Sequence, residues 1–214
     1  MSGDRDALLR QGAEAMGLSL SDAQCASLQA YADLILKWNK VYNLTALRSP
    51  EQVLSHHLLD SLSVVGPLQR QCPGAARLLD VGSGAGLPGA VIAIMRPDLS
   101  VTCVDAVAKK AAFIRQVSAE LNLPHLNGRH ARVETMGGRF DVVCSRAFAS
   151  LTDFVRGSAE LIAPGGCWMA MKGKLPTDEI ADLPSDVEVF HVEQLTVPGL
   201  DAERCIVWIR PISG

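Results

Sequence analysis

An acid and a series of glycines stand where a short apolar run gives way to a helix-like run, in the segment Leu78–Gly89. The order of residues there is Leu-Leu-Asp-Val-Gly-Ser-Gly-Ala-Gly-Leu-Pro-Gly. Glycines allow a strand to turn tightly into a helix, and their bare backbone lets a cofactor lie against the turn. The segment therefore predicts a cofactor site between a strand and a helix, with a tight turn that binds nothing as the alternative.

The glycine spacing fits two classes of cofactor site. Gly84, Gly86 and Gly89 match the G-x-G-x-x-G pattern that holds the pyrophosphate of a dinucleotide. Asp80, with glycines at the second, fourth and sixth positions after it, matches the D-x-G-x-G-x-G loop of S-adenosylmethionine-dependent methyltransferases. The choice between the two patterns separates an NAD-dependent oxidoreductase from a methyltransferase.

Two residues of this segment favour S-adenosylmethionine. A pyrophosphate needs the free amides of a helix N-terminus, and Pro88 removes one of them from the first turn. Asp80 would repel a pyrophosphate, but it suits a cofactor with a positive amino group and a sulfonium. Asp105 lies at the end of the next predicted strand, about 20 residues past the loop. Either cofactor needs an acid at this position to bind its ribose.

Two arginines stand at the ends of predicted strands. Arg146 directly follows the apolar run Asp141–Ser145, which places it at the carboxyl edge of a parallel sheet, where ligands bind. Arg204 precedes the apolar run of the last predicted strand, a poor position for a charge that is not used. Both are candidates for contact with a substrate, and an ordinary ion pair with an acid is the alternative for each.

The first third of the chain has the periodicity of helices. Ser21–Gln24 has the composition of a capping box, and apolar residues follow it at intervals of three and four. Ser49–Gln52 opens a further helix, with serine as the N-cap and proline in the first turn. We predict a helical cap over residues 1–70 and a second domain over residues 71–214.

From Arg77 onward short apolar runs alternate with helix-like segments, which predicts an α/β domain with a parallel sheet and helices on both faces. The predicted strands of this part are Arg77–Val81, Ser100–Val104, Leu126–His130, Asp141–Ser145 and Cys167–Met171. The predicted helices are Gly89–Met95, Ala108–Leu121 and Leu151–Ile162. Two strand-like runs at the end, Val187–Val197 and Arg204–Ile209, predict an antiparallel hairpin that closes the sheet.

The bulk properties exclude several classes of protein. A net charge of −3 on 214 residues argues against a protein that coats nucleic acid, although a local basic cleft remains compatible with it. The six cysteines form no C-x-x-C pair and lie mostly in apolar runs, so we expect reduced core thiols rather than disulfides or a zinc site. No leader pattern opens the chain, and its longest apolar stretch is too short for a bilayer. We expect a soluble cytoplasmic protein.

Several blocks along the chain carry a resemblance to a known family. The blocks are Trp38–Thr45, His57–Leu62, Gly82–Gly89, Ser145–Ala149, Lys172–Gly173 and Glu203–Arg204. In these blocks, and over nearly its whole length, the chain resembles the ribosomal small-subunit methyltransferase G family, also called glucose-inhibited division protein B. The resemblance implies a Rossmann-like class I methyltransferase fold with a mostly parallel seven-stranded sheet, a terminal antiparallel strand and a helical N-terminal cap. It also implies S-adenosylmethionine-dependent methylation of N7 of one guanine in the 530 loop of 16S rRNA.

The resemblance also assigns roles to individual residues. The residues implied to bind the cofactor are Asp80, Gly82, Gly84, Gly86, Leu87, Asp105, Val133, Glu134 and Arg146, with Val133 and Glu134 at the adenine. The residues implied to face RNA, which also carry the catalytic assignment, are Arg132, Arg146 and Arg204. Two further RNA candidates follow from their own positions in the sequence: Phe148, close to Arg146, and Lys172, at the end of the fifth predicted strand. Phe148 is the candidate to stack on the target base, and Lys172 the candidate for a phosphate. His57 and Asp60 could hydrogen-bond along one helix face, with a structural or a substrate role left open.

The implied chemistry needs neither a general base nor a metal. Guanine N7 has an exposed lone pair, so it accepts a methyl group without first losing a proton. The expected partner is 16S rRNA in the small ribosomal subunit or an assembly intermediate, with the protein acting as a monomer. The alternatives are a methyltransferase for another RNA, a protein or a small molecule, an NAD-dependent oxidoreductase, and a non-catalytic module that binds S-adenosylmethionine or RNA.

Overall fold

The computed structural model describes residues 2–46, 49–146, 148 and 150–212, so Ala147 and Ala149 of the Ser145–Ala149 block lie outside the described residues. The chain begins with a helical segment that precedes the sheet. Its helices are α1 (Ser2–Ala15), α2 (Asp22–Tyr42), α3 (Pro50–Val53), α4 (Asp60–Leu62) and α5 (Val65–Gln71). A π-helical turn, Leu54–Leu59, joins α3 to α4.

Both predicted helix starts are confirmed. The Ser21 hydroxyl accepts a hydrogen bond from the Gln24 amide at 3.2 Å, and the Gln24 side chain accepts one from the Ser21 amide at 3.0 Å. Ser49 caps α3 in the same way, because its hydroxyl accepts from the Gln52 amide at 3.1 Å. These bonds satisfy amides that have no partner within the helix, and they fix where α2 and α3 begin.

The sheet has seven strands in the order β3-β2-β1-β4-β5-β7-β6. The strands are β1 (Arg77–Val81), β2 (Ser100–Asp105), β3 (Leu126–His130), β4 (Phe140–Ser145), β5 (Ile162–Lys172), β6 (Val187–Leu195) and β7 (Arg204–Pro211). Strands β1 to β5 pair in parallel, whereas β7 runs antiparallel to both β5 and β6. The predicted parallel sheet and antiparallel hairpin are therefore confirmed.

The largest difference from the predicted strand bounds is at the start of β5; the other strand ends differ by at most two residues. Ile162 was predicted as the end of a helix, but it begins β5 and pairs with Phe140, and the pairing resumes between Cys167 and Val142. The intervening residues, 163–166, bulge out of the ladder. Proline and glycine favour such a bulge, and the same residues suggested a break between elements when read from sequence alone.

The remaining helices lie between the strands. They are α6 (Gly89–Met95), α7 (Ala108–Glu120), α8 (Leu151–Ser158), a 3₁₀ turn (Ala159–Leu161) and α9 (Thr177–Ala181). The bounds of α6 agree with the prediction, and α7 ends one residue earlier. Among the described helices, none is long and apolar enough to cross a membrane.

Alternate residues of the strands enter two separate cores. Leu78 and Val142 face the side covered by α6, α7 and the N-terminal helices, where Phe113 is fully buried. Leu79 and Val143, their neighbours in sequence, face α8. This alternation follows from the two-residue period of a strand, and it leaves the strand ends to form the ligand-facing edge. The N-terminal helices share one continuous apolar core with the first face of the sheet.

The cysteines are free thiols in the structure. Cys103, Cys144 and Cys205 are fully buried among apolar side chains, as predicted from their apolar surroundings in the sequence. Cys72 Sγ, at the end of α5, lies 3.3 Å from Cys167 Sγ in β5. This contact between two thiols ties the last N-terminal helix to the sheet.

Tyr31 connects α2 to the glycine-rich loop. Its ring is fully buried, and its hydroxyl donates a hydrogen bond to the Ala85 carbonyl at 2.5 Å. Burial raises the pKa of Tyr31 well above its ordinary value, so the hydroxyl keeps its proton and remains a donor. The N-terminal helices thereby hold the loop between β1 and α6 in place.

Replacing Tyr31 by Phe is expected to lower the free energy of unfolding by about 1–3 kcal/mol, the usual cost of a buried polar group left without its partner. Urea unfolding of wild type and Tyr31→Phe measures the difference. Tyr42→Phe is the matched control, since Tyr42 is exposed at the end of the same helix. Equal stability of Tyr31→Phe and wild type would show that the bond to Ala85 does not support the loop.

Candidate active site at the carboxyl edge of the sheet

The loop between β1 and α6 presents its backbone to open space at Gly82 and Gly84, whereas Gly86 packs against Ile114 in the core. The amides of Gly82 and Ser83 donate to the Val104 carbonyl at 2.9 and 3.2 Å, which ties the loop to the end of β2. Gly82 has a φ of +66°, and a side chain added there would meet no atom within 4 Å. Gly84 and Gly86 also have positive φ. Leu87, by contrast, is buried in the core shared by the sheet and the N-terminal helices.

Asp80 lies beneath this loop, fully buried. Its Oδ2 accepts a hydrogen bond from the Gly89 amide at 2.8 Å, which braces β1 against the first turn of α6. Its Oδ1 has no hydrogen-bond partner within the described part of the chain. The sequence suggested contact with the amino end of a cofactor, and that contact stays a prediction: the carboxylate is held by the first turn of α6.

Burial raises the pKa of Asp80 to about 7, against the opposing effects of the Gly89 amide and the Arg146 charge. The folded protein therefore binds a proton at this carboxyl over a pH range in which the unfolded chain, with a pKa of 3.8, does not. The stability that the protonated carboxyl contributes is complete below pH 3.8 and is lost as the pH rises to about 7.

Asp80→Asn is expected to remove this pH dependence. The amide oxygen still accepts from Gly89, but the side chain no longer ionises. The free energy of unfolding of the variant minus that of wild type should rise between pH 3.8 and about pH 7, because wild type loses stability over this range. The slope there is at most about 1.4 kcal/mol per pH unit, and above about pH 7 the difference stays level. Urea unfolding at a series of pH values measures it, and parallel curves for the two proteins would contradict the burial argument.

A cavity of about 250 Å³ opens beside the glycine loop, and we call it the glycine-loop cavity. Its lining residues are Val81, Gly82, Val104, Asp105, Ala106, Ala131, Arg132, Val133, Glu134 and Phe148. It brings together predicted cofactor residues from the ends of β1 and β2 and from the turn that follows β3. Apolar walls with acids at the rim suit a nucleoside.

Asp105 joins the loop to the end of β2. Its Oδ2 accepts from the Gly84 amide at 3.0 Å, and its Oδ1 accepts from the Val107 amide at 2.8 Å. Lys110 Nζ lies 3.7 Å from Oδ2. Since each carboxylate oxygen has two lone pairs, Oδ1 retains the capacity to accept a hydroxyl, as the predicted ribose contact requires.

Arg132 and Phe148 lie apart from the other residues predicted to face RNA. Both line the glycine-loop cavity rather than the pocket that contains Arg146. The ring of Phe148 packs against Phe154 of α8, with centroids 5.4 Å apart, and the Arg132 side chain is mostly exposed beside Glu134. Arg132 is distant from Arg146 because it follows β3, on the far side of β1 from β4. The contact of Arg132 and Phe148 with RNA stays a prediction.

A second cavity, of about 350 Å³, lies at the same edge of the sheet, and we call it the arginine cavity. Its lining residues are His56, His57, Asp60, Arg146, Met171, Lys172, Gly173 and Arg204. Parallel strands β4 and β5 end at this edge, and antiparallel β7 begins there. Arg146, Lys172 and Arg204 therefore converge although they are distant in sequence.

Asp60 holds two of these basic side chains. Its carboxylate is only 3% exposed, with Oδ1 at 2.8 Å from Arg204 Nε and Oδ2 at 3.2 Å from Arg146 Nη1. The sequence left a substrate or a structural role open for Asp60 and did not link it to either arginine. No local signal could have found these ion pairs, since the partners come together only in the folded sheet.

His57 and Lys172 have other partners. The Nε2 atom of His57 is 2.7 Å from the Thr45 hydroxyl, and burial lowers the pKa of His57 to about 4, so its ring is neutral at physiological pH. The suggested His57–Asp60 hydrogen bond is not among the bonds of the described residues. Lys172 Nζ pairs with Glu179 at 2.7 Å, and Glu179 also accepts from the Leu151 amide.

No group of three or more His, Cys, Asp or Glu side chains within the described ranges is arranged to hold a metal ion. This edge of the sheet thus contains two cavities of different character: the glycine-loop cavity is nucleoside-sized and largely apolar, and the arginine cavity is cationic. The cationic cavity suits a phosphate-bearing ligand, because charge-assisted bonds from arginine are among the strongest that proteins make to phosphate.

Comparison with known proteins identifies close relatives. The family model described as rRNA small subunit methyltransferase G (GidB) matches residues 24–207. The chain is 61% identical to ribosomal RNA small subunit methyltransferase G of Leptothrix cholodnii, over 100% of this chain and 98% of that protein. It is 60% identical to the protein of the same name from Acidovorax sp. strain JS42, over 96% and 95% of the two chains.

Solved structures share the fold at low identity. TrmN from Thermus thermophilus superposes with a TM-score of 0.59 and 18% identity, over 74% of this chain and 53% of that one. The 1,6-didemethyltoxoflavin-N1-methyltransferase of Burkholderia thailandensis was solved with bound 1,6-didemethyltoxoflavin and S-adenosylhomocysteine. It has a TM-score of 0.59 and 12% identity, over 86% of this chain and 90% of that one. At these identities the likeness establishes the class I methyltransferase fold alone.

Proposed function

The chain belongs to the rRNA small subunit methyltransferase G family, and from that premise we propose that it methylates 16S rRNA with S-adenosylmethionine. We further propose that the acceptor atom is N7 of a guanine in the 530 loop. The observation that carries the proposal is that the two cavities lie on either side of the point where the strand order reverses, between β1 and β4. Ligands of open α/β sheets bind at such a point.

Ser145 connects the two strand ends at this point. Its hydroxyl donates to the Val81 carbonyl at 3.0 Å, which fixes the end of β4 against the end of β1. Val81 lines the glycine-loop cavity, and Arg146, the residue after Ser145, lines the arginine cavity. A donor in the first cavity and an acceptor in the second would meet across this bridge.

The residues of the glycine-loop cavity fit S-adenosylmethionine. The open space at Gly82 is a cradle that any side chain would fill, and Asp105 retains a lone pair for a ribose hydroxyl. Val133 and Glu134 stand where the adenine is proposed to lie. When bound, the cofactor supplies an electrophilic methyl group on a sulfonium.

The chain's own part in the reaction is positioning. Guanine N7 needs no base, so the site must hold the acceptor in line, which by itself accounts for large rate enhancements. We assign the phosphates and the base edge of the target nucleotide to Arg146, Arg204 and Lys172, and their convergence on one cavity supports this assignment. The neutral His57 ring forms part of the wall without taking a proton.

The local charge supports an RNA acceptor. The protein has a net charge of −3, so attraction to RNA must come from local basic groups: the arginine cavity and exposed residues elsewhere on the same edge of the sheet, such as Arg132 beside the glycine-loop cavity. Binding that depends on phosphate contacts weakens steeply as the salt concentration rises. We propose that the protein works in this way as a monomer in the cytoplasm, on the small subunit or an assembly intermediate.

The acceptor class is tested with labelled S-adenosylmethionine. Small subunits, naked 16S rRNA and intact ribosomes from a strain that lacks this protein are incubated with the pure enzyme, and RNA is separated from protein and small molecules. We expect the label in 16S rRNA in at least one of the three preparations. Label in ribosomal protein, or no transfer to any of them, would overturn the proposal.

A further inference from the structure

Asp60 connects three parts of the molecule at the arginine cavity. It begins α4, directly after the π-helical turn of the N-terminal segment. Its two oxygens receive one arginine from the end of β4 and another from the start of β7. Arg146 Nη1 also lies 3.4 Å from the His56 carbonyl of the same turn. The N-terminal segment thus determines where both guanidinium groups stand.

We propose that Asp60 is a positioning residue for the methyl transfer: it holds Arg146 and Arg204 on one wall of the arginine cavity so that their remaining N–H donors receive the target nucleotide. This inference rests on the proposed function, because it assigns the cavity to an RNA nucleotide. It identifies a further residue of the site, one that acts through the two arginines.

The donors that Asp60 leaves available support this role. Asp60 accepts hydrogen bonds from Nη1 of Arg146 and Nε of Arg204. The Nη1 group of Arg204 donates to the Glu203 carbonyl at 2.8 Å. Within the described part of the chain, Nη2 of neither arginine has a hydrogen-bond partner. The two side chains remain 26% and 25% exposed. A planar guanidinium fixed at one edge has its other donors fixed in direction as well.

Charge alone does not explain a carboxylate at this position. A cavity that only needed to attract phosphate would be better without Asp60, which cancels part of the positive charge. Burying a carboxylate also costs free energy that its ion pairs do not always return. What the carboxylate does provide is a fixed separation and orientation of two arginines from different strands.

The positioning role is tested with Asp60→Asn in the full chain. Asparagine has nearly the same shape, but its amide oxygen can accept from only one arginine while its NH₂ group faces the other. With 16S rRNA or small subunits as acceptor, we expect kcat to fall by about 10²-fold, as for a misplaced reactive geometry, with the Kd for S-adenosylmethionine unchanged. A merely structural ion pair would lower the unfolding midpoint and leave kcat of the folded fraction at the wild-type value.

A second variant covers the case in which Asp60→Asn does not fold. Asp60→Glu keeps the charge but lengthens the side chain by one methylene, so it moves both guanidinium groups and should also lower kcat. Asp98→Asn is the matched control, since Asp98 pairs with Arg96 after α6, outside both cavities, and kcat should not change. A fold-intact Asp60 variant with wild-type kcat, while wild type methylates rRNA, overturns the positioning role.

Failure of the proposed function gives a different result. In that case the wild-type protein itself transfers no label to rRNA, before any variant is compared. A double variant sharpens the remaining question: the kcat losses of Asp60→Asn and Arg204→Gln should not add when the two changes are combined, because both disturb one arrangement. Additive losses would show that Asp60 does not act through Arg204.

Discussion

Replacing Arg146 by Ala is expected to slow methyl transfer to 16S rRNA by about 10²-fold or more, the range seen when a reactive geometry or a positioned donor is lost. Arg146 stands after β4 at the bridge between the two cavities, and its guanidinium lies against Asp60. Its removal takes away donors for the target nucleotide. It also leaves the buried Asp60 with Arg204 as its remaining charged partner among the described residues.

Arg146→Lys separates charge from geometry. Lysine restores the positive charge but not the planar fork that can bind Asp60 and a ligand at the same time. We expect Arg146→Lys to remain well below the wild-type rate. Single-turnover rates at saturating RNA, with far-ultraviolet circular dichroism to confirm folding, measure both variants. An Arg146→Ala protein that folds, binds S-adenosylmethionine and methylates at the wild-type rate would contradict the assigned role.

Alanine at Gly89 is expected to reduce mainly the stability of the protein, and alanine at Gly82 mainly its affinity for the cofactor. At Gly89 the added Cβ would lie 2.5 Å from Cys103 Sγ and 2.8 Å from Asp80 Oδ2. Such crowding costs about 1–3 kcal/mol, and displacing the Gly89–Asp80 bond adds about 1–3 kcal/mol more. Gly89→Ala should therefore lose several kcal/mol of unfolding free energy.

At Gly82 the substitution is expected to weaken mainly the binding of the cofactor. The positive φ makes alanine unfavourable there by about 1–2 kcal/mol, but the Cβ meets no protein atom within 4 Å. It projects into the space proposed for S-adenosylmethionine, so the cofactor affinity should fall further than the stability. Urea unfolding and calorimetric titration with S-adenosylmethionine compare the two variants. If Gly82→Ala bound S-adenosylmethionine with wild-type affinity, the glycine-loop cavity would not be the cofactor site.

The local elements of the fold could be predicted from sequence because their signals are local. The bounds of β1, β3 and α6 agree with those predicted from apolar runs and glycine punctuation. The start of β5 was predicted wrongly because Pro164 and two glycines mark both a bulge and a loop. Only the pairing of Ile162 with Phe140 distinguishes the two, and that pairing is tertiary.

The candidate site was predictable in part for the same reason. The glycine loop and Asp105 follow a spacing that a strand–turn–helix unit imposes, and the structure brings Gly82 and Asp105 to one cavity. The ion pairs of Asp60 span 86 and 144 residues, so no periodicity could indicate them. Phe148 shows the converse: it is only two residues from Arg146 in sequence but lines the other cavity.

The position of the transferred methyl group tests the central claim most directly. Small subunits from a strain that lacks this protein are methylated by the pure enzyme, and the modified base is located by chemical cleavage of the 16S rRNA at 7-methylguanine. The account predicts a single new cleavage site, at a guanine in the 530 loop, that depends on both the enzyme and S-adenosylmethionine. Methylation at another base, or at an atom other than N7, would contradict it.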